Sequence, residues 1–259
     1  TSSFRTFGLG IAFAVVALAA STSVTGAQER RTDDSFRWSG QAGSGAWVNI
    51  RNLNGSVRVE SGSGSQVEVR ATKEWRRGNP EDVQVRVTRY GPGDRDILVC
   101  ALWGANTTCT GDEYRVRGDS REGRRSNNND TSVRFVVTVP RGVHIRANTI
   151  NGSVDVTGAS GEINVNSVNG NVRAESTGGP VMAKAVNGNV TARMGRISTT
   201  EDLSYSTVNG NVFVEFGDDL NAEIEMSTVN GGFETNFPLT VRGRINPKHI
   251  RATVGSGGS

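Results

Sequence analysis

Few side chains in this chain could carry out chemistry. The densest acidic cluster is Glu215, Asp218, Asp219, Glu223 and Glu225. Two carboxylates facing one cleft would suit glycoside hydrolysis, and Asp218 with Asp219 would offer oxygen ligands to calcium. The Gly-Gly-x-Gly-x-Asp repeat of calcium-binding coils is absent, as is a Gly-x-Ser-x-Gly nucleophile elbow. The two histidines, His144 and His249, have no nucleophile beside them in sequence. We expect His144, between the inward-facing Val143 and Ile145, to point outward. No catalytic, cofactor-binding or metal-binding residue is assigned, and no cofactor is expected. A polysaccharide-acting β-helix enzyme, a lyase or hydrolase, is the catalytic alternative.

Charge narrows the partners. Twenty-nine basic against 26 acidic residues leave a formal charge of +3. Residues 70–125 hold twelve basic and nine acidic side chains, so this segment alone accounts for the excess. No basic stripe suited to nucleic acid results. Trp75 and Trp103 in that region would either stack on sugar rings or close the open end of a sheet core.

The two cysteines read differently once the N-terminus is considered. Arg5 precedes an apolar run over 9–20, then small residues over 21–27 and the charges Glu29, Arg30 and Arg31. This is the layout of a secretory signal peptide, with cleavage expected after Ala27. A membrane span needs about 20 apolar residues, and Ser21-Thr22-Ser23 interrupts this run early. The mature chain is therefore expected to be exported to the periplasm, the outer cell surface or the medium, with the signal as its one tie to the membrane. In an oxidising compartment Cys100 and Cys109 suggest a disulfide, worth about 2–3 kcal/mol on the chain-entropy model. A redox or metal pair would want a Cys-x-x-Cys spacing or nearby histidines.

What must position all of this is a repeat. Asn-Gly recurs at Asn54-Gly55, Asn151-Gly152, Asn169-Gly170, Asn187-Gly188, Asn209-Gly210 and Asn230-Gly231. The last five asparagines are 18, 18, 22 and 21 residues apart. Counting from each asparagine, position −6 is Val48, Ile145, Ile163, Val181, Leu203 and Ile224. Position +3 is Val57, Val154, Val172, Val190, Val212 and Phe233. Positions −4 and +5 are mostly apolar as well. Apolar residues two apart on each side of the turn specify two short strands per repeat, each with one buried face. A fixed period near 20 residues marks a solenoid. Stacked coils pair about 4.8 Å apart, and stacked asparagine amides bond up the ladder. A meander of Asn-Gly hairpins is the competing arrangement.

Asparagine and glycine are expected at the corner because both tolerate left-handed backbone. Outward position +6 reads Glu175, Arg193, Glu215, which in-register stacking would turn into an alternating charge column; Asp155 would sit beside Arg173. That assigns these carboxylates to structure rather than catalysis. Residues 121–130 read as a solvated loop.

Signal, [Val/Ile]-Asn-Gly-[Asn/Ser]-Val repeats and the Ala71-Thr72-Lys73-Glu74-Trp75 lead-in together resemble the adhesin-like domain-of-unknown-function family of bacterial β-strand-repeat envelope proteins, similar in look to autotransporter-adhesin heads. The resemblance spans 47–254. It implies a β-solenoid and an adhesin role, and it brings no catalytic residues. The fold expected is all-β: a parallel β-helix-like solenoid of about 18–22 residues per coil, preceded by an irregular antiparallel β region. The divisions are signal peptide 1–27, N-terminal β region 28–140 with the disulfide-bearing insert, and repeat solenoid 141–259.

The expected function is a non-catalytic envelope binding or scaffold module. Its face would be the polar pairs at −3 and −2: Asn148-Thr149, Asn166-Ser167, Lys184-Ala185, Ser206-Thr207 and Ser227-Thr228. Its partner would be a surface glycan or protein. The chain starts at Thr1 and stops in Gly255-Ser256-Gly257-Gly258-Ser259, so a truncated end or a linker is expected. A missing closing coil would leave Thr253-Val254 as an open edge for self-association through the solenoid ends, a third possible role.

Overall fold

The computed structural model describes residues 30–104, 106–116, 129–195, 203–217, 221–237, 240–241, 246 and 248–254. The signal segment, Asp218, Asp219, most of the 121–130 loop and the tail after Val254 lie outside the described residues.

The described chain is all-β, built on two large mixed sheets. Every repeat puts the strand before its Asn-Gly into one sheet and the strand after it into the other. In the leading sheet, Trp47–Asn54, His144–Asn151, Ile163–Asn169, Val181–Asn187, Leu203–Asn209 and Ala222–Asn230 lie side by side. The trailing sheet aligns Val57–Ser61, Val154–Ala159, Val172–Ser176, Val190–Met194, Val212–Phe216 and Phe233–Thr235. All these neighbours pair in parallel with equivalent positions opposite one another. Asn54 faces Asn151, Asn151 faces Asn169, and so on to Asn209 against Asn230. A hairpin at Asn-Gly would instead pair the two strands of one repeat antiparallel, so the meander is excluded for these segments.

The inward set follows the period of two. Positions −6, −4, +3 and +5 are almost all fully buried and form one continuous core. Their side chains vary in size from coil to coil. At −4 the series runs Ile50, Ala147, Val165, Ala183, Tyr205 and Met226, with the two largest side chains in the last two repeats. Tyr205 is fully buried, and burial holds its hydroxyl protonated far above the ordinary phenol range.

The 95 residues between the first two Asn-Gly copies do not separate them in space. The first copy pairs directly with the second in both sheets. The insert extends the stack from the opposite side: Asp96–Trp103 runs parallel to Trp47–Asn54, and Ser132–Val139 runs parallel to Val57–Ser61. Antiparallel strands then finish each sheet. Val83–Tyr90 lies on Asp96–Trp103, and Gln66–Trp75 with Arg31–Gln41 lies on Ser132–Val139. Trp38 and Trp103 pack partly buried against this end of the core, whereas Trp75 pairs with Arg31 at the sheet margin.

The far end corrects an expectation. Thr253 and Val254 are not an open edge. They belong to His249–Val254, which pairs antiparallel with Ala222–Asn230 and on its other side with Thr240–Val241. A reversed strand cannot offer the parallel register that a further repeat would need. The leading sheet is therefore closed to stacking through these residues.

The corners need glycine for two reasons, the expected one and a second: φ is +120° at Gly55 and +155° to +159° at Gly152, Gly188 and Gly210, and the neighbouring repeat leaves no room for a side chain. Among the described residues the single non-glycine with positive φ is Asp94, so the corner asparagines are not left-handed. The coil beneath also excludes a side chain. A Cβ on Gly152 would lie 2.1 Å from Gly55 O, one on Gly188 2.3 Å from Gly170 O, and one on Gly210 2.2 Å from Gly188 O. Close approach of stacked backbones selects glycine here. A second column behaves alike: a Cβ on Gly179 would lie 2.1 Å from Gly161 O.

Candidate binding face

The outer surface of the leading sheet is defined by the positions the core leaves out: −5, −3 and −1. Position −1 precedes every Asn-Gly and is always aliphatic. Ile150, Val168, Val186 and Val208 are 37–39% exposed and Val229 is 59% exposed. No other large hydrophobic among the described residues is exposed. They form a single column, one per repeat, at the strand spacing of about 4.8 Å. Leu53, the equivalent in the first copy, is only half-buried. An aligned apolar stripe of this kind is an unusual feature for a surface.

The asparagine ladder borders the stripe on one side. Nδ2 of Asn169, Asn187, Asn209 and Asn230 each donates to Oδ1 of the asparagine one repeat earlier, at 2.9, 2.8, 2.7 and 2.7 Å. Asn54 ties the first copy to the insert, its Nδ2 donating to Thr131 O at 2.8 Å, while the Gly55 N–H donates to Asn151 O of the second copy. Position −3 borders the other side with Asn148, Asn166, Lys184, Ser206 and Ser227, half-buried except for the exposed Lys184.

The polar face expected from the sequence is thus half right. Position −2 points inward. Thr149, Ser167, Thr207 and Thr228 are buried and donate to the carbonyls of Gly55, Gly152, Gly188 and Gly210, at 3.0, 2.8, 2.8 and 3.0 Å. Asn52 serves the same place in the first copy, donating to Gly55 O and Val133 O. These groups cannot meet a ligand, because each is spent on a carbonyl at the corner.

A hairpin from the insert walls one end of the face. Thr107–Cys109 pairs with Tyr114–Val116, and a disulfide from Cys109 to Cys100 fastens the hairpin to the sheet. Beneath it Leu98, Cys100 and Leu102 form a small cluster of their own with Tyr90. Tyr114 donates its hydroxyl to Ala101 O at 2.6 Å, and burial raises that phenol's pKa. Gly111 O, at the hairpin tip, accepts from Asn49 Nδ2 and from the Arg51 guanidinium, at 2.7 and 2.6 Å.

Between hairpin and stripe lies a groove of about 290 Å³. Arg51 and Tyr114 form its wall, and Asn148, Ile150, Asn166 and Val168 its floor, with Lys184 and Val186 at the far side. Two donors here, Arg51 Nε and Asn148 Nδ2, are buried without an acceptor. Desolvation, then the neighbouring Arg146, lowers the pKa of Arg51, though the guanidinium stays charged. Arg146 itself lies over the Trp47 ring, 4.7 Å from its centroid.

The carboxylates take structural places. Glu175 faces Arg193 and Arg193 faces Glu215 across parallel strands, with Arg193 bonded to both. Asp155 is in register with Arg173. Glu223 lies 3.8 Å from Arg251, and Glu225 3.8 Å from His249. His144 stacks on Trp47 and accepts from Glu162 N–H through Nδ1.

No family model and no curated protein matches this chain. Solved structures do. A "putative cell adhesion protein" from Clostridium sporogenes is similar over 86% of this chain and 86% of its own, at 9% identity and a TM-score of 0.45. A "putative adhesin" from Bacteroides fragilis is similar over 80% of this chain and 98% of its own, at 10% identity and a TM-score of 0.32. The functional reading therefore rests on the face itself. Sequence reasoning missed the stripe because the −1 residues were absorbed into the turn motif. The signal was there: −1 has the parity of −3 and −5 and is aliphatic in all six copies.

Proposed function

We propose that this is an exported, non-catalytic cell-envelope binding module of adhesin type, a β-solenoid whose leading sheet lays an extended, acidic surface glycan along the stripe. The observation that carries the reading is the coincidence of three things on one face. The exposed aliphatic column supplies apolar contact at a constant repeat. Arg51 and Arg146 border its hairpin end with positive charge, and Lys184 adds a cation at the far side of the groove. The Arg51 guanidinium and the Asn148 amide line the groove as donors, which suits a ligand rich in oxygen acceptors. A repeating polymer matches a repeating face, since each added repeat adds the same contact. Export is supported by the Cys100–Cys109 disulfide, which suits an oxidising compartment.

The test is binding to a uronate-rich polysaccharide and to a neutral glucan of similar length, at low and high salt. Binding to the acidic polymer that weakens with salt is the expected result. Val168→Glu and Val208→Glu should abolish it by breaking the stripe and repelling the polymer, and Lys184→Glu should weaken it. Ser206→Lys with Ser227→Lys tests the −3 column in the same assay. Equal binding by the parent and all of these variants would refute the face as the site.

A further inference from the structure

We propose that Asn230-Gly231 is a modification site, the one Asn-Gly step of the stack at which asparagine converts to aspartate or isoaspartate while the protein stays folded. The reaction is intramolecular. The nitrogen of the residue after the asparagine gives its proton to water or hydroxide and bonds to Cγ. The Cγ–Nδ2 bond breaks, and ammonia leaves with a proton from solvent. Water then opens the five-membered imide at one carbonyl or the other, giving aspartate or isoaspartate. Glycine is the most permissive following residue, because no side chain crowds the ring.

The attacking nitrogen must be free to approach Cγ. At five of the six steps it is not. The N–H groups of Gly55, Gly152, Gly170, Gly188 and Gly210 donate to the carbonyls of Asn151, Asn169, Asn187, Asn209 and Asn230, at 2.7 to 3.0 Å. Each lock is supplied by the repeat that follows. The electrophile is held as well: Asn169, Asn187 and Asn209 both donate and accept in the side-chain ladder. Reaction at these steps requires a coil to open first.

On the far side of Ala222–Asn230 lies the antiparallel His249–Val254, which carries no Asn-Gly, so no Asn-Gly coil locks Asn230-Gly231. Among the described residues none accepts from the Gly231 N–H, and none donates to Asn230 Oδ1. The strand that covers this repeat stops short. Its register ends at Ser227 against His249, with one more bond from Thr228 N–H to Lys248 O. Asn230 and Gly231 are both exposed, so water reaches them. A carboxylate at 230 could no longer donate to Asn209 Oδ1, and it would bring negative charge near Lys248, whose Nζ lies 3.0 Å from Gly231 O.

The experiment is peptide mapping of the intact protein after incubation in mildly alkaline buffer, with isoaspartate counted by methyltransferase labelling. In the folded protein Asn230 should convert at least about tenfold faster than Asn169, Asn187 or Asn209, the factor given by ~1.4 kcal/mol of opening free energy. In urea all six steps should converge on similar rates, which shows that the fold sets the ranking. Equal rates at Asn230 and Asn209 in the folded state would overturn the proposal. So would a fast inner site with Asn230 intact.

Discussion

The hydroxyl of Thr207 donates to the carbonyl of Gly188 across a coil boundary, 2.8 Å apart and out of reach of solvent. The same bond recurs from Thr149, Ser167 and Thr228, yet repeat four carries Ala185 at that place. Thr207→Val keeps the volume but leaves the Gly188 carbonyl buried and unmet, and should cost about 1–3 kcal/mol in denaturant unfolding. Ala185→Ser supplies the missing donor to Gly170 O and should add about 0.5–1.5 kcal/mol. Opposite signs from the two substitutions are the expected pattern. A destabilising Ala185→Ser would count against the corner carbonyl as the partner.

Glycine at the corner should be far more sensitive than glycine elsewhere. A Cβ at Gly188 meets backbone atoms of Gly170 at 2.3 and 2.6 Å, whereas one at Gly43 meets nothing within 4 Å. Gly188→Ala should cost more than ~3 kcal/mol, and Gly43→Ala should stay within ~0.5 kcal/mol. Thermal melts of both variants decide this.

The Cys100–Cys109 bond closes a short loop and ties the hairpin down over Leu98 and Leu102. Replacing both cysteines with alanine should lower stability by about 2–3 kcal/mol. Limited proteolysis should then cut first within 107–116, before the stacked repeats open. Uniform loss of protection along the chain would show that the hairpin is not a separable cover.

Asp130 provides a pH test. Its carboxylate accepts from the backbone N–H groups of Arg77 and Arg76, at 2.9 and 2.8 Å, and these bonds hold its pKa below the ordinary value. A pKa lowered by folding adds stability above the unfolded pKa of about 3.9, and that stability fades as pH falls through the folded value. Asp130→Asn should therefore be less stable than the parent at neutral pH, with the difference closing in acid. A gap independent of pH would assign the loss to shape rather than charge.

The stripe should be neutral for stability and decisive for binding. Val208 is exposed, so Val208→Glu should shift unfolding by no more than ~0.5 kcal/mol. Tyr205, three residues earlier and fully buried, should lose about 3–5 kcal/mol on truncation to alanine. Measuring both separates loss of adhesion from loss of fold.

By itself the sequence determined the local structure. Val48, Ile50, Val57 and Val59 and their equivalents are spaced two apart, and a period of two has one physical reading: strands with a buried face. The Asn-Gly spacing likewise determined which residues stack, because parallel register places equals on equals. The charge column at Glu175, Arg193 and Glu215 was legible for that reason. Position −2 was legible in parity but hidden by polarity: a threonine looks outward until a carbonyl is found for it. That carbonyl belongs to the neighbouring coil, so only the assembled stack reveals it.

The tertiary structure alone decided the long-range pairings. Nothing near Asp96–Trp103 or Ser132–Val139 says that these strands extend the stack beneath the first copy. Nothing near Thr253 says that it closes the last one. Such contacts join residues tens of positions apart, and their stability comes from surfaces that exist only once the repeats have stacked. The need for glycine at the corner is in part of the same kind. The local backbone, at positive φ in four of the copies, already favours glycine, but the clash with the neighbouring repeat is visible only once the repeats have stacked.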